Sequence, residues 1–154
     1  KKTIIHGDLT FENILISKKK SYFIDPLGSF MDIKFDNDFL FKTTILFDLG
    51  KLSQSIIANY ENWKNEKNIN KFVYKNKFKL PVYKKVDKEF FQILIKKFNG
   101  LTENLPQVII MHMVIILCRI IRYRIKNYET SAVLCYLFAT YFVNIIYKSK
   151  NLQI

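Results

Sequence analysis

The stretch IIHGDLTFENILI, residues 4–16, decides how this chain is read. It sets a His, a Gly, two carboxylates and an Asn between two short apolar runs. Residues 3–5 read as a short strand that delivers the chain into a polar loop. A β-hairpin follows, with Asn13 to Ser17 as one strand, Lys18-Lys19-Lys20 as the turn and Ser21 to Asp25 as the return. Pro26 and Gly28 end it. Asn13 and Asp25 each lie six residues from Lys19. Symmetric pairing would set them opposite each other, with Cβ atoms about 5 Å apart.

An amide oxygen and a carboxylate converging at the open end of a hairpin make a hard-oxygen site. Such a site suits Mg²⁺, which takes few protein ligands and keeps other positions for water or phosphate oxygens. Asp8, five residues before Asn13, lies in the loop at the same end and need not be a ligand. A free Asp beside a metal held by Asn and Asp is the equipment of phosphoryl transfer, in which it orients the attacking hydroxyl and takes its proton.

HGDLTFEN followed by YFIDP resembles the HxDxxxxN…ID signature of the aminoglycoside phosphotransferase and choline kinase superfamily. The Asp-to-Asn spacing also matches the HRDxxxxN loop of protein kinases. The resemblance implies a protein-kinase-like C-terminal lobe, α+β and mainly helical, spanning residues 1–154. It implies Asp8 as catalytic base, Asn13 and Asp25 as metal ligands, Mg²⁺ and ATP as cofactors, and a small hydroxyl-bearing substrate. His6 would brace the loop and Gly7 would allow its tight backbone. FDLGKLSQSI, residues 47–56, is similar to the helix start after the metal Asp in bacterial small-molecule kinases, several of which act in sugar or surface-glycan pathways. Asp48 would there be a structural cap that supports the catalytic loop. Asp36 and Asp38, in the loop after the metal Asp, would be weaker substrate-binding candidates, with Asp32 nearby. Motif resemblance extends to about residue 57.

Departures from protein kinases narrow the substrate. Asp25-Pro26-Leu27-Gly28 stands where protein kinases have DFG, no APE segment follows, and Thr10 replaces a Lys. These point away from a protein substrate and towards a sugar or amino alcohol. No Gly-rich loop, strand Lys or partner Glu precedes the motif, and the chain opens at Lys1 without Met. The expectation is the distal part of a longer protein, inactive when isolated from an ATP-binding lobe. The competing expectation is a non-catalytic remnant or pseudokinase-like module that only binds a ligand or partner.

Beyond the motif, residues 29–42 read as an irregular loop and Asp48 as the N-cap of a helix carrying Leu49, Leu52, Ile56 and Ile57. Residues 59–86 read as a polar surface excursion. Asp87 caps an amphipathic helix closed by Gly100. Two long apolar helices are expected near 106–126 and 129–147. Arg119, Arg122 and Arg124 interrupt the first, and the second offers a short uncharged stretch from Ser131 to Tyr147, so the expectation is a helical core pair and no membrane span. His112 reads as a core or pocket residue. Arg119, Arg122 and Lys126 share a helix face that would suit an anionic group such as a phosphate or uronate, although a solvated helix end is the simpler reading.

The net charge of +12 raises nucleic acid as a partner. The lysines are scattered, however, and accompany many Asn, Ile, Phe and Tyr residues that share AT-rich codons. A biased genome accounts for them, and no nucleic-acid partner is expected. Cys118 and Cys135 make no CxxC pair, and buried, reduced thiols in a cytoplasmic protein are the expectation.

Overall fold

The computed structural model describes residues 6–26, 37–81, 84–98 and 100–149. The predicted strand at 3–5, Gly28, and Asp32 and Asp36 lie outside them. The architecture is mainly helical with two small antiparallel hairpins, as the α+β expectation required. In order come β1 (Ile14–Ile16), β2 (Ser21–Phe23), α1 (Asn37–Ile56), α2 (Tyr60–Trp63), β3 (Val73–Tyr74), β4 (Lys77–Phe78), α3 (Lys84–Lys97), α4 (Leu105–Arg124) and α5 (Glu129–Ser149).

Two helix starts differ from expectation. Asp48 does not cap α1, which already runs from Asn37, so residues 37–42 are helix and not loop. The apolar run FLF and ILF before Asp48 carries the helical pattern upstream of it. Asp87 likewise lies inside α3, which includes Lys84.

The core forms where α1, α4 and α5 meet. Gly50 of α1 permits a close crossing: a Cβ there would sit 2.7 Å from the His112 Cβ and 3.1 Å from the Met113 backbone nitrogen. His112 therefore serves the helix crossing, and its Nδ1 pairs with the Val108 carbonyl oxygen at 2.8 Å. Met113 and Leu117 of α4 pack with Leu134 and Phe138 of α5 in one buried cluster. The segment read as a polar excursion adds a core anchor to this cluster. Trp63 is buried, stacks on Phe138 with ring centroids 5.0 Å apart, and donates its indole N–H to the Ala58 carbonyl at 2.6 Å. Arg124 then ties this segment to the helical pair, donating to Asn65 at 3.2 Å and lying over the Tyr60 and Tyr128 rings.

Both α4 and α5 are long and apolar enough to cross a membrane by length and composition alone. In the fold they pack on each other, and α4 also packs on α1. The two cysteines are unbonded and differ: Cys135 is buried, whereas Cys118 is exposed, against the expectation of two buried thiols. Burial pushes the Cys135 thiol up to about 12 and the Tyr60 phenol likewise to about 12, the latter against the opposing charge of Arg124.

Candidate functional site

The loop of residues 6–13 is built almost wholly from backbone groups held by side chains. Gly7 adopts φ 80°, a left-handed conformation that glycine enters without steric cost. This turn aims two consecutive N–H groups at one carboxylate of α1. The His6 N–H donates to Asp48 Oδ2 at 2.9 Å and the Gly7 N–H to Asp48 Oδ1 at 2.9 Å. Asp48 thus satisfies N–H groups of the loop instead of those of its own helix.

His6 is buried and couples the loop to the hairpin. Its Nδ1 accepts from the Asp8 N–H at 3.3 Å, which assigns the ring proton to Nε2, and Nε2 donates to the Ile24 carbonyl at 2.9 Å. Asp8 is then fixed from three sides. Its carbonyl accepts the Thr10 N–H at 2.9 Å and Asn13 Nδ2 at 2.8 Å. Its Oδ2 lies 3.2 Å from the same Asn13 Nδ2, and its Oδ1 pairs with Lys51 Nζ at 2.8 Å. Both Asn13 partners are acceptors, so the amino group must face Asp8 and the amide oxygen faces away from it.

Asp25 departs from its expected place. The observed register is Ile14↔Phe23, Leu15↔Tyr22 and Ile16↔Ser21, and the Ile24 N–H donates to the Asn13 carbonyl at 3.0 Å. Asn13 therefore faces Ile24, not Asp25. The turn is closed by Ser17 N–H to the Lys20 carbonyl at 2.8 Å, which leaves Lys18-Lys19 as a two-residue loop and moves the hairpin centre between them. Two-residue loops are the favoured hairpin connection, and a symmetric pairing about one residue would need an odd loop. Asp25 follows at φ 55°, the left-handed region that non-glycine residues seldom occupy and that clusters at functional sites.

The structure thus brings His6, Gly7, Asp8, Asn13 and Asp48 into one bonded network and sets Asp25 just past the hairpin end that His6 holds. Asp38 lies in α1, ten residues before Asp48, about 15 Å along the axis at 1.5 Å per residue. Among the described residues no three His, Cys, Asp or Glu side chains form a metal-binding group.

Lys51 was not anticipated from sequence, nor was the bracing that continues beyond it. Ser55 Oγ accepts the Phe11 N–H at 3.2 Å and itself bonds Glu61, while Lys64 pairs with Glu12. The signal was present: Asp48, Lys51 and Ser55 fall at i, i+3 and i+7, polar residues on one face of the helix. Two cavities flank the loop. One, of about 160 Å³, is bordered by Gly7, Lys51 and α4; the other, of about 360 Å³, by His6, Phe23, Pro26 and Asp48. No family model, curated protein or solved structure matches the chain.

Proposed function

We propose that this chain is the acceptor-handling lobe of an ATP- and Mg²⁺-dependent phosphotransferase that acts on a hydroxyl of a small molecule. The observation that carries the reading is the posture of Asp8. Its carboxylate is held by Lys51 on one oxygen and by Asn13 on the other, on a loop whose backbone Asp48 fixes. A general base must be positioned before its proton affinity matters, and the fixed posture of Asp8 supports that role.

The chemistry divides among the residues as follows. Asp8 Oδ2, whose contact with Asn13 is long at 3.2 Å, takes the acceptor's hydroxyl proton. The acceptor oxygen forms a bond to the γ-phosphorus of ATP as the bond from that phosphorus to the bridging oxygen of ADP breaks. Lys51 holds the carboxylate in position and places positive charge beside the transferring group. His6 and Asp48 act on the geometry alone, through the Asp8 N–H and the two loop N–H groups.

Asn13 and Asp25 are not cross-strand partners, and what supports a divalent cation is their donor chemistry alone: an amide oxygen turned from Asp8, and a carboxylate on a left-handed residue at the hairpin end. They would hold Mg²⁺, which when bound neutralises charge on the nucleotide phosphates.

The test is phosphoryl transfer from MgATP by the full-length gene product to a panel of polyols, sugars and amino alcohols, read by mass spectrometry. A phosphorylated hydroxyl is expected. Neither nucleotide binding nor transfer to any acceptor would leave a ligand-binding module in place of the enzyme.

A further inference from the structure

Two cationic side chains line the cavity of about 160 Å³ beside Gly7, and one of them, Lys51, is also paired with Asp8. The other is Arg119, and no acidic side chain lines the cavity among the described residues. Its remaining walls are apolar or aromatic, from Phe47 of α1 and from Ile116, Ile120 and Tyr123 of α4. Arg122 lies over the Tyr123 ring at 4.8 Å and backs that wall with a third positive charge. The cavity is joined to the loop through Lys51, whose Nζ is 2.8 Å from Asp8 Oδ1. An ammonium carries three N–H donors, and one carboxylate oxygen engages one of them. An oxyanion placed between two cationic side chains gains charge-assisted hydrogen bonds. The volume is below the range of about 300–1,000 Å³ typical for drug-sized ligands, so the cavity suits one end of a small molecule.

We infer that this cavity is an acceptor subsite for an anionic substrate: a small hydroxylated molecule whose carboxylate or phosphate lies between Arg119 and Lys51 while its hydroxyl reaches Asp8. The inference rests on the phosphotransferase reading and narrows it, excluding cationic amino alcohols and neutral polyols as preferred acceptors. Arg119 offers a planar donor fork that matches either oxyanion, so the shared feature is the oxyanion, and the two possible groups separate by titration. The adjoining apolar wall accommodates the carbon skeleton.

The test needs no nucleotide, so its outcome is independent of phosphoryl transfer. The 154-residue chain is titrated by ¹H–¹⁵N NMR with D-glucuronate and glycerol 3-phosphate, and with the neutral counterparts glucose and glycerol. At least one anion is expected to bind and to shift the Gly7, Lys51 and Arg119 amides, with the neutral pair weaker by roughly 10- to 100-fold, the range of a charge-assisted contact. Arg119→Gln is expected to lose that margin and Arg119→Lys to recover part of it. Lys77→Gln, on the distant β3–β4 hairpin, should leave binding unchanged. Glucuronate alone would assign a carboxylate acceptor, and glycerol 3-phosphate alone a phosphorylated one. Equal binding of neutral and charged probes, an equal loss in Lys77→Gln, indifference to Arg119→Gln, or no binding by any of the four overturns the subsite. Transfer to a neutral acceptor with Arg119→Gln fully active would remove the anionic subsite and leave the phosphotransferase standing. Anion binding here without any transfer by the full-length protein would do the reverse.

Discussion

Replacing Asp48 by Asn tests whether α1 holds the HGD loop in place. The two side chains have the same shape, so packing is unchanged. Asp48 accepts two N–H groups, from His6 at 2.9 Å and Gly7 at 2.9 Å. An Asn keeps one carbonyl oxygen for one of them and turns an NH₂ against the other. The loss is one hydrogen bond to a charged group, about 1.5–3 kcal/mol, and one buried donor then faces another donor. Taking about 2–3 kcal/mol for the pair, and tenfold per 1.36 kcal/mol, loop opening becomes roughly 30- to 160-fold more frequent. Native-state amide exchange reads this directly, because His6 and Gly7 are buried and their N–H groups exchange only when the loop opens. Protection of those two amides should fall by that factor, while Leu117 and Phe138 in the core change far less. Unaltered His6 and Gly7 exchange would refute the bracing role. An equal fall throughout the core would relocate the contribution of Asp48 to the global fold.

Gly50→Ala should destabilise the protein despite the better helix propensity of Ala, because the added methyl meets His112 at 2.7 Å and backbone at 3.1 Å. Overpacking of about 1–3 kcal/mol exceeds a propensity gain of about 1 kcal/mol, so the urea midpoint should fall, and a rise would contradict the close crossing. Iodoacetamide at about pH 8 should label Cys118 and spare Cys135 in the folded state, since burial holds the Cys135 thiol near 12. Equal labelling of the two would show that the packing of α5 on α4 does not enclose Cys135. Trp63→Ala should cost about 3–5 kcal/mol in chemical denaturation, as loss of a buried indole stacked on Phe138; a cost under about 1 kcal/mol would place Trp63 outside the core.

How far sequence reached depends on the range of the interactions concerned. The loop was legible because its bonds are local, with Asn13 reaching back five residues to Asp8 and His6 two residues forward. The long helices were legible from sustained apolar periodicity. The hairpin register was not, because one residue more or less in a lysine turn shifts every pairing and nothing in Lys18-Lys19-Lys20 selects between the two. Only the capping role of Asp48 was misread, because an Asp before an apolar run reads as a cap; its support of the loop, expected from the motif, runs to partners 41 and 42 residues away. Trp63 was lost in a polar context because its core contacts come from α5. Lys51 was visible among the polar residues on one face of α1, but the loop opposite that face is a tertiary fact.

The most direct measurement is steady-state phosphoryl transfer and calorimetric MgATP affinity for the full-length protein with Asp8→Asn and Asp25→Asn. The proton-accepting role of Asp8 predicts that Asp8→Asn loses about 10²–10⁴-fold in turnover with nucleotide affinity nearly unchanged. Asp25→Asn should weaken Mg²⁺-dependent nucleotide binding as well as turnover. Undiminished transfer by Asp8→Asn, or a loss confined to nucleotide affinity, would contradict the assignment of Asp8 as the base.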